Sequence, residues 1–474
     1  MTEKNKLILS SILISILIFF IYGDNSKLHF LLGEIDEIKK IKILNDCTEI
    51  FCRGVIYNVF VYVFFNILNI KETVILAQIF LLVFATNHLC NQLSKNKINK
   101  LINFFIIIFI IINPKLLKYS FNHGEEGLII PMLILYCSYI LKFIVKKKKI
   151  TYIKLNIITV FITLIKLGTL PLILFTFVLT YFLKYSFKKK FFISLLSISI
   201  ILLFLILNSY YLIKLDKTYK KNYYLYIHVL SAAISHSNLI LQEKGKINEL
   251  IDKKIIRKKI IKDEISKDYN NQLFFQCIIF PALNNYIYTD VDISEIFKND
   301  INSYSISEIP RNYIKRFFKE PLNFFVHYSE CLYANFLFIE FQNEDIFIKN
   351  LPLLTNKNLT MHERGIIKSF LINSPSKFKI ISFVRLVGIF ILISFLVSFF
   401  ISFKSFMLDK KKTDLDKCNI IYFFIYLFLI FIHVNLVHVQ TRWFFSYFPI
   451  VMISISILAN KIINSYLRRF DHKF

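Results

Sequence analysis

The chain has 474 residues, 55% of them hydrophobic, and carries 59 Lys and Arg against 32 Asp and Glu, a formal net charge of +27. Both the apolar content and a mean hydropathy of +0.54 exceed what water-soluble domains show. With nine Gly, nine Pro and seven Cys, the composition excludes collagen-like, disulfide-scaffold, coiled-coil and disordered chains.

Apolar runs long enough to approach the thickness of a bilayer core lie at 7–22, 73–92, 101–117, 126–145, 151–165, 169–185, 191–209, 380–403, 419–435 and 443–460. The first follows Lys4 and Lys6 as a signal peptide would, but no A-x-A site comes after it and many spans do. An uncleaved anchor is expected. A further run, 54–70, is ambiguous on length alone.

Lysine placement resolves it. The basic clusters are Lys95/Lys97/Lys100, Lys146 to Lys149, Lys184/Lys188/Lys189/Lys190, Lys410 to Lys412, and Lys461/Arg468/Arg469. With the N-terminus inside, all reach the cytoplasm only if 54–70 does not cross. That run is therefore expected as a juxtamembrane helix. The fold class expected is an all-α polytopic membrane protein with about ten transmembrane helices and both termini cytoplasmic. All the acids except Glu3, Asp409, Asp414, Asp416 and Asp471 then fall on the outer side.

Three regions follow. Residues 1–209 form an N-terminal transmembrane module whose first outer loop occupies 23–72. Residues 210–379, of mixed charge and helix-like patterning, form a mostly helical outer-side domain. Residues 380–474 hold the C-terminal transmembrane helices. Cys47 with Cys52, or Cys277 with Cys331, could pair in an oxidising compartment, although free thiols are the simpler expectation for each pair. No Cys/His cluster has zinc spacing.

Four outer constellations carry groups capable of chemistry. The first loop holds the adjacent acids Asp36 and Glu37, ahead of the juxtamembrane helix and Glu72. A carboxylate held there could take a proton from an acceptor hydroxyl. The turn INPKLLKYSFNHGEEG places His123, Glu125 and Glu126 at the mouth of the fourth span, with Gly124 and Gly127 flanking the two acids; helix capping is the plainer reading. Lys166, in IKLGTLP, could snorkel or pair with a lipid phosphate. The turn HVQTRWFFSYFP brings His438, Arg442 and the single Trp443 before the last span. Trp there anchors at the interface, and Arg can grip phosphate with two parallel hydrogen bonds.

This plan resembles the GT-C membrane glycosyltransferases, which include protein mannosyltransferases and aminoarabinose transferases. The matching features are Asp36-Glu37, the helix 54–70 with Glu72 after it, Asn113-Pro114 followed by Glu125/Glu126, Lys166-Leu-Gly, and Arg442 through Pro449. The stretch 309–333 also looks like the helical segment preceding late spans in bacterial members. The chain departs from the family in having Ile38-Lys39-Lys40 after the acidic pair and no Pro beside Tyr57.

The resemblance implies transfer of a sugar from a polyprenyl-phosphate carrier to an acceptor on the outer face of a cytoplasmic membrane. Asp36, Glu37, Glu125 and Glu126 would be the catalytic carboxylates, with Asp36 favoured as base. Lys166, His438, Arg442, Glu72 and His123 would bind substrate. Lys, Arg or a divalent cation (Mg or Mn) would hold the leaving phosphate's charge. Membrane lipid is the other partner, and nucleic acid is not expected. A transporter or flippase of lipid-linked saccharides is the competing reading, and a receptor-like protein the third. The location of the acids separates them. A transferase keeps its acids at one interface, whereas a transporter places them within spans.

Overall fold

The computed structural model describes residues 3–23, 55–64, 72–111, 126–215, 304–336, 378–408, 413–437 and 441–471, and among these every regular element is a helix. Clustering of the backbone gives two compact units. The first is Met1–Lys217, Ser394–Leu429 and Phe445–Phe474; the second is Thr218–Ile393 and Ile430–Phe444.

The first unit opens with α1 (Glu3–Gly23), the short α2 (Val55–Tyr62), α3 (Glu72–Lys95) and α4 (Lys100–Ile111). Next come α5 (Glu126–Lys146), α6 (Lys149–Ile165), α7 (Leu172–Leu179) and α8 (Phe187–Leu215). Six helices among the described residues are long and apolar enough to cross a membrane: Thr73–Lys95, Glu126–Lys146, Phe187–Leu207, Val387–Leu408, Asp414–Asn435 and Ser446–Tyr466. The chain is thus a helical membrane protein by length and composition, with six of the ten expected spans reaching full length among the described residues. The run 151–165 yields the 17-residue α6 and 169–185 the 8-residue α7, about 26 and 12 Å at 1.5 Å per residue, against the roughly 30 Å apolar layer. Of the run 101–117, residues 112–117 lie outside the described residues. The apolar stretch of α1 is Asn5–Phe19. In the run 54–70, α2 covers eight residues, about 12 Å.

Surface character supports a lipid setting. Along α8, Phe191, Phe192, Leu195, Leu203 and Ile206 are all more than half exposed. A row of large apolar side chains turned outward is unfavourable in water and natural against acyl chains.

Side-chain contacts fix the order of packing. The Gln78 amide sits against Gly127, and His88 Nδ1 lies 2.7 Å from Ser138 Oγ. Residue numbers rise together along both helices, so α3 and α5 are parallel neighbours. The helix α4 follows α3, held to its end by Asn103 Nδ2 donating to Ser94 Oγ at 2.7 Å. By the same test α6 is antiparallel to α5, with Phe143 on Tyr152 at one end and Glu126 on Lys166 at the other. Likewise α1 runs antiparallel to α3, its Ile18 packed with Ile75, Ile79 and Val83.

Polar side chains inside these helices are turned back on the backbone. Ser11, Ser15, Thr86, Thr159 and Thr163 each donate to the carbonyl four residues earlier. That satisfies their hydroxyls where no water is available to do so.

The second unit contains the hairpin α9 (Tyr304–Lys319) and α10 (Pro321–Phe336). Proline at the first position of α10 costs no hydrogen bond, because that N–H would be unpaired anyway. Tyr313 and Phe317 of α9 pack on Phe324 at 5.0 and 5.1 Å between ring centres. Burial pushes the Tyr313 and Tyr328 phenols well above their usual range. Cys331 is disulfide-bonded, with its partner outside the described residues, which corrects the expectation of a free thiol there. Cys90, Cys137 and Cys418 are free and buried.

The C-terminal helices are α11 (Phe378–Leu408), α12 (Asp414–Ile432) and α13 (Thr441–Asp471), with a π-helical turn at His433–Val437. Within the first unit these three are tied by a polar network. Asn419 Nδ2 donates to Ser398 O at 2.9 Å, Ser398 Oγ at 2.7 Å and Ser402 Oγ at 2.8 Å, while Ser454 Oγ donates to Asn419 Oδ1.

Candidate functional site

Two residues singled out from sequence meet at one end of the parallel pair. Glu126 is the first residue of α5, and Lys166 immediately follows the last residue of α6. Lys166 Nζ donates to Glu126 Oε1 at 3.0 Å, with both side chains buried. Lys166 leaves the helix in an extended conformation, φ −148° and ψ 111°, which ends α6 and aims the chain into a tight turn. Thr169 Oγ1 donates back to the Lys166 carbonyl at 2.7 Å, satisfying an acceptor that the helix end leaves open.

Local sequence explains why the acid sits where it does. A carboxylate at a helix start meets the positive end of the helix dipole. Gly127 follows, and the space of its missing side chain is filled by Gln78: a Cβ there would lie 2.5 Å from the Gln78 Nε2 atom. Pro131, four residues further on, has no N–H to bond the Gly127 carbonyl. The first turn of α5 is therefore glycine-thin and short of one hydrogen bond, and a buried amide from α3 packs against it. Glu126 is also close enough to act electrostatically on Tyr447 of α13. The result is a small buried polar cluster of Glu126, Lys166, Gln78 and Tyr447.

Glu126 and Lys166 are brought together. Glu72 opens α3 and Arg442 lies in the first turn of α13; their side chains are outside the described set. Asp36, Glu37, His123, Glu125 and His438 lie outside the described residues. Gln78 was passed over in the sequence, although a lone amide within the run TVILAQIFLLVFA is a visible signal.

A second charged cluster lies at the start of α12. Asp416 is fully buried and accepts from Lys461 Nζ, from Thr413 Oγ1 and from Ser405 Oγ at 3.1 Å. Its backbone N–H donates to Thr413 Oγ1 at 3.2 Å, a reciprocal cap of the helix start. With Asp414 it forms a D-x-D spacing, Asp414-Leu415-Asp416, beside the basic run Lys410 to Lys412. Both carboxylates are taken up internally, because Lys417 Nζ bonds Asp414 Oδ1 at 2.7 Å.

Among the described residues no three His, Cys, Asp or Glu side chains come together to hold a metal ion. The Oε1 oxygen of Glu126 is taken by Lys166. No family model matches the chain, and neither a curated protein nor a solved structure matches it.

Proposed function

We propose that the chain is a membrane glycosyltransferase that moves a sugar from a polyprenyl-phosphate donor to an acceptor on the outer face of the cytoplasmic membrane. The observation that carries the reading is the meeting of Glu126 with Lys166, two members of the predicted site 40 residues apart. Further support comes from where the acids lie. No Asp or Glu occupies the interior of a candidate span among the described residues; Glu126, Asp414 and Asp416 all stand at helix starts. Ion-coupled transport asks for ionisable groups along the path. The disulfide at Cys331 suits an oxidising outer compartment.

In this reading the acceptor O–H attacks the anomeric carbon, and its proton passes to Asp36. The bond from that carbon to the carrier phosphate oxygen breaks with inversion, and the phosphate leaves with the electron pair. Lys166 and Arg442 hold its charge. Glu126, already bonded to Lys166, fixes that ammonium at the helix end and does not act as base. The hydrocarbon tail of the donor stays in the bilayer throughout.

The test is transfer by purified protein from a synthetic polyprenyl-phosphate sugar. Asp36→Asn should lower turnover by about 10²–10⁴-fold without loss of expression, and Arg442→Lys should weaken donor binding because the fork is lost. Near wild-type turnover in Asp36→Asn would remove the base assignment. A second reading, movement of lipid-linked saccharide across the membrane, draws on His88, bonded to Ser138 in the interior of a candidate span. It predicts transbilayer movement of the labelled lipid in proteoliposomes with no sugar transfer.

A further inference from the structure

The hairpin of α9 and α10 has two apolar faces, and among the described residues one packs inside the protein while the other is exposed. Tyr313 and Phe317 of α9, with Phe324 and Tyr328 of α10, form the inner face. Phe317 and Tyr328 pack on Phe431 at 5.9 and 5.3 Å between ring centres. The outer face is made of Phe318 at 77% exposure, Leu322 at 72%, Phe325 at 56% and Val326 at 49%. Leu322, Phe325 and Val326 recur at helical spacing, so they share one side of α10. Phe318 lies across the one-residue turn from them. At that tip Asn323 Nδ2 donates to Glu320 Oε2 at 2.9 Å, tying the turn to the start of α10.

Three observations say what covers this face. Phe431, on which the inner face rests, stands near the C-terminal end of the candidate span Asp414–Asn435, at the level where a span leaves the bilayer. Lys315, Arg316 and Lys319 lie in the last turns of α9, next to Phe318. The three cations exceed the single acid Glu320 at the tip. Large apolar residues beside cations, on a helix that does not itself cross, are the pattern of an interfacial membrane helix.

We infer that the α9–α10 hairpin is a monotopic anchor. Its tip inserts Phe318, Leu322, Phe325 and Val326 at the headgroup–acyl boundary, while Lys315, Arg316 and Lys319 meet anionic lipid phosphates. The inference is independent of sugar transfer and holds for any activity of the chain. It gives the second unit its own purchase on the lipid surface, apart from the spans that enter and leave it.

The experiment uses the full chain reconstituted in vesicles of phosphatidylethanolamine and phosphatidylglycerol. Trp443 is the single Trp, so Trp443→Phe gives a silent background into which Phe325→Trp and, separately, Leu322→Trp are placed. Fluorescence is read against lipids brominated at shallow or deep chain positions, and against aqueous acrylamide. Quenching several-fold stronger by shallow bromines than by deep ones, with little quenching by acrylamide, is expected at both sites. Adding Lys315→Glu and Lys319→Glu should at least halve the lipid quenching in anionic vesicles and leave it unchanged in phosphatidylcholine. Strong acrylamide quenching without lipid quenching would mean the face stands in water and would overturn the inference. Protection from both quenchers would mean that protein, either a second copy or another part of this chain, covers it, and would overturn it equally. Phe325→Trp exchanges one aromatic for another, so misfolding is not a route to a false answer at that site.

Discussion

Glu126 and Lys166 stand 40 residues apart in sequence and 3.0 Å apart in space, and their bond closes the end of the antiparallel pair α5 and α6. Two opposite charges buried together need each other more than the fold needs them. Taking both out of water costs several kcal/mol per ion, and mutual attraction with good geometry offsets that cost. Removing one partner leaves the other stranded. Lys166→Met and Glu126→Gln should each lose about 3–5 kcal/mol of stability, and the double variant should recover most of it. Denaturant unfolding in detergent micelles measures all three. Strictly additive losses would show that the two groups are not coupled.

Gly127→Ala tests the contact beside that pair. A methyl group at this position would press into the buried Gln78 carboxamide. Overpacking of this kind typically costs about 1–3 kcal/mol. Shortening Gln78 to Ala in the same chain should relieve most of the cost. If Gly127→Ala alone is as stable as the natural chain, the Gln78 side chain has another place to go.

Much of this arrangement was legible from composition and run length, and part of it was not. Helices come directly from apolar runs without strand-like alternation, and the clustering of lysines at one end of α3 and α5 agrees with their parallel course. Glu126 and Lys166 were both visible as odd residues in apolar surroundings. That they bond to each other was not visible, because helical period gives a residue's face and not the neighbour that face meets. Asp416 and Lys461 show the same limit more sharply. Each was read as one charge in a basic loop or terminus, yet the buried Asp416 pairs with the partly exposed Lys461. Helix length is a further limit: hydropathy marks where a chain is apolar, while length depends on where the backbone turns, and Lys166 ends α6 after 17 residues.

The charges at the start of α12 offer a comparison of burial at nearly constant sequence position. Asp414 and Lys417 form a partly exposed pair three residues apart, whereas Asp416 is fully buried against Lys461. Asp414→Ala should cost about 0–1 kcal/mol, as solvent-screened pairs do. Asp416→Ala removes a fully buried acceptor from Ser405, Thr413 and Lys461 and should cost more, about 1–3 kcal/mol. Thermal unfolding of the two variants side by side is the measurement. Equal losses would mean that Asp416 is not held as described.

Asn419→Leu should cost about 1–3 kcal/mol, since it leaves the hydroxyls of Ser402 and Ser454 without the amide they share. Ser402→Ala removes one bond to that amide and a long one from Lys461 at 3.5 Å, and should cost less. Hydrogen exchange along α11 and α12 would report the same order, with the Asn419 variant opening faster. No change in exchange would show that the network is dispensable.

Because α3 and α5 run parallel, their C-terminal ends share one side. Reporter fusions after residue 97 and after residue 148 should therefore report the same compartment, the cytoplasm by the lysine bias. A fusion within 215–375 should report the opposite side. Opposite results at 97 and 148 would contradict the parallel pairing of Gln78 with Gly127 and His88 with Ser138.

The ion pair also has an order in time. Translation at about 5–20 residues per second delivers Lys166 roughly 2–8 s after Glu126, given the 40 residues between them. During that interval the acid has no counter-charge, so α5 enters the membrane with a carboxylate at its leading edge of assembly. The bond that closes the bundle end can therefore form only once α6 is complete, since Lys166 immediately follows its last residue.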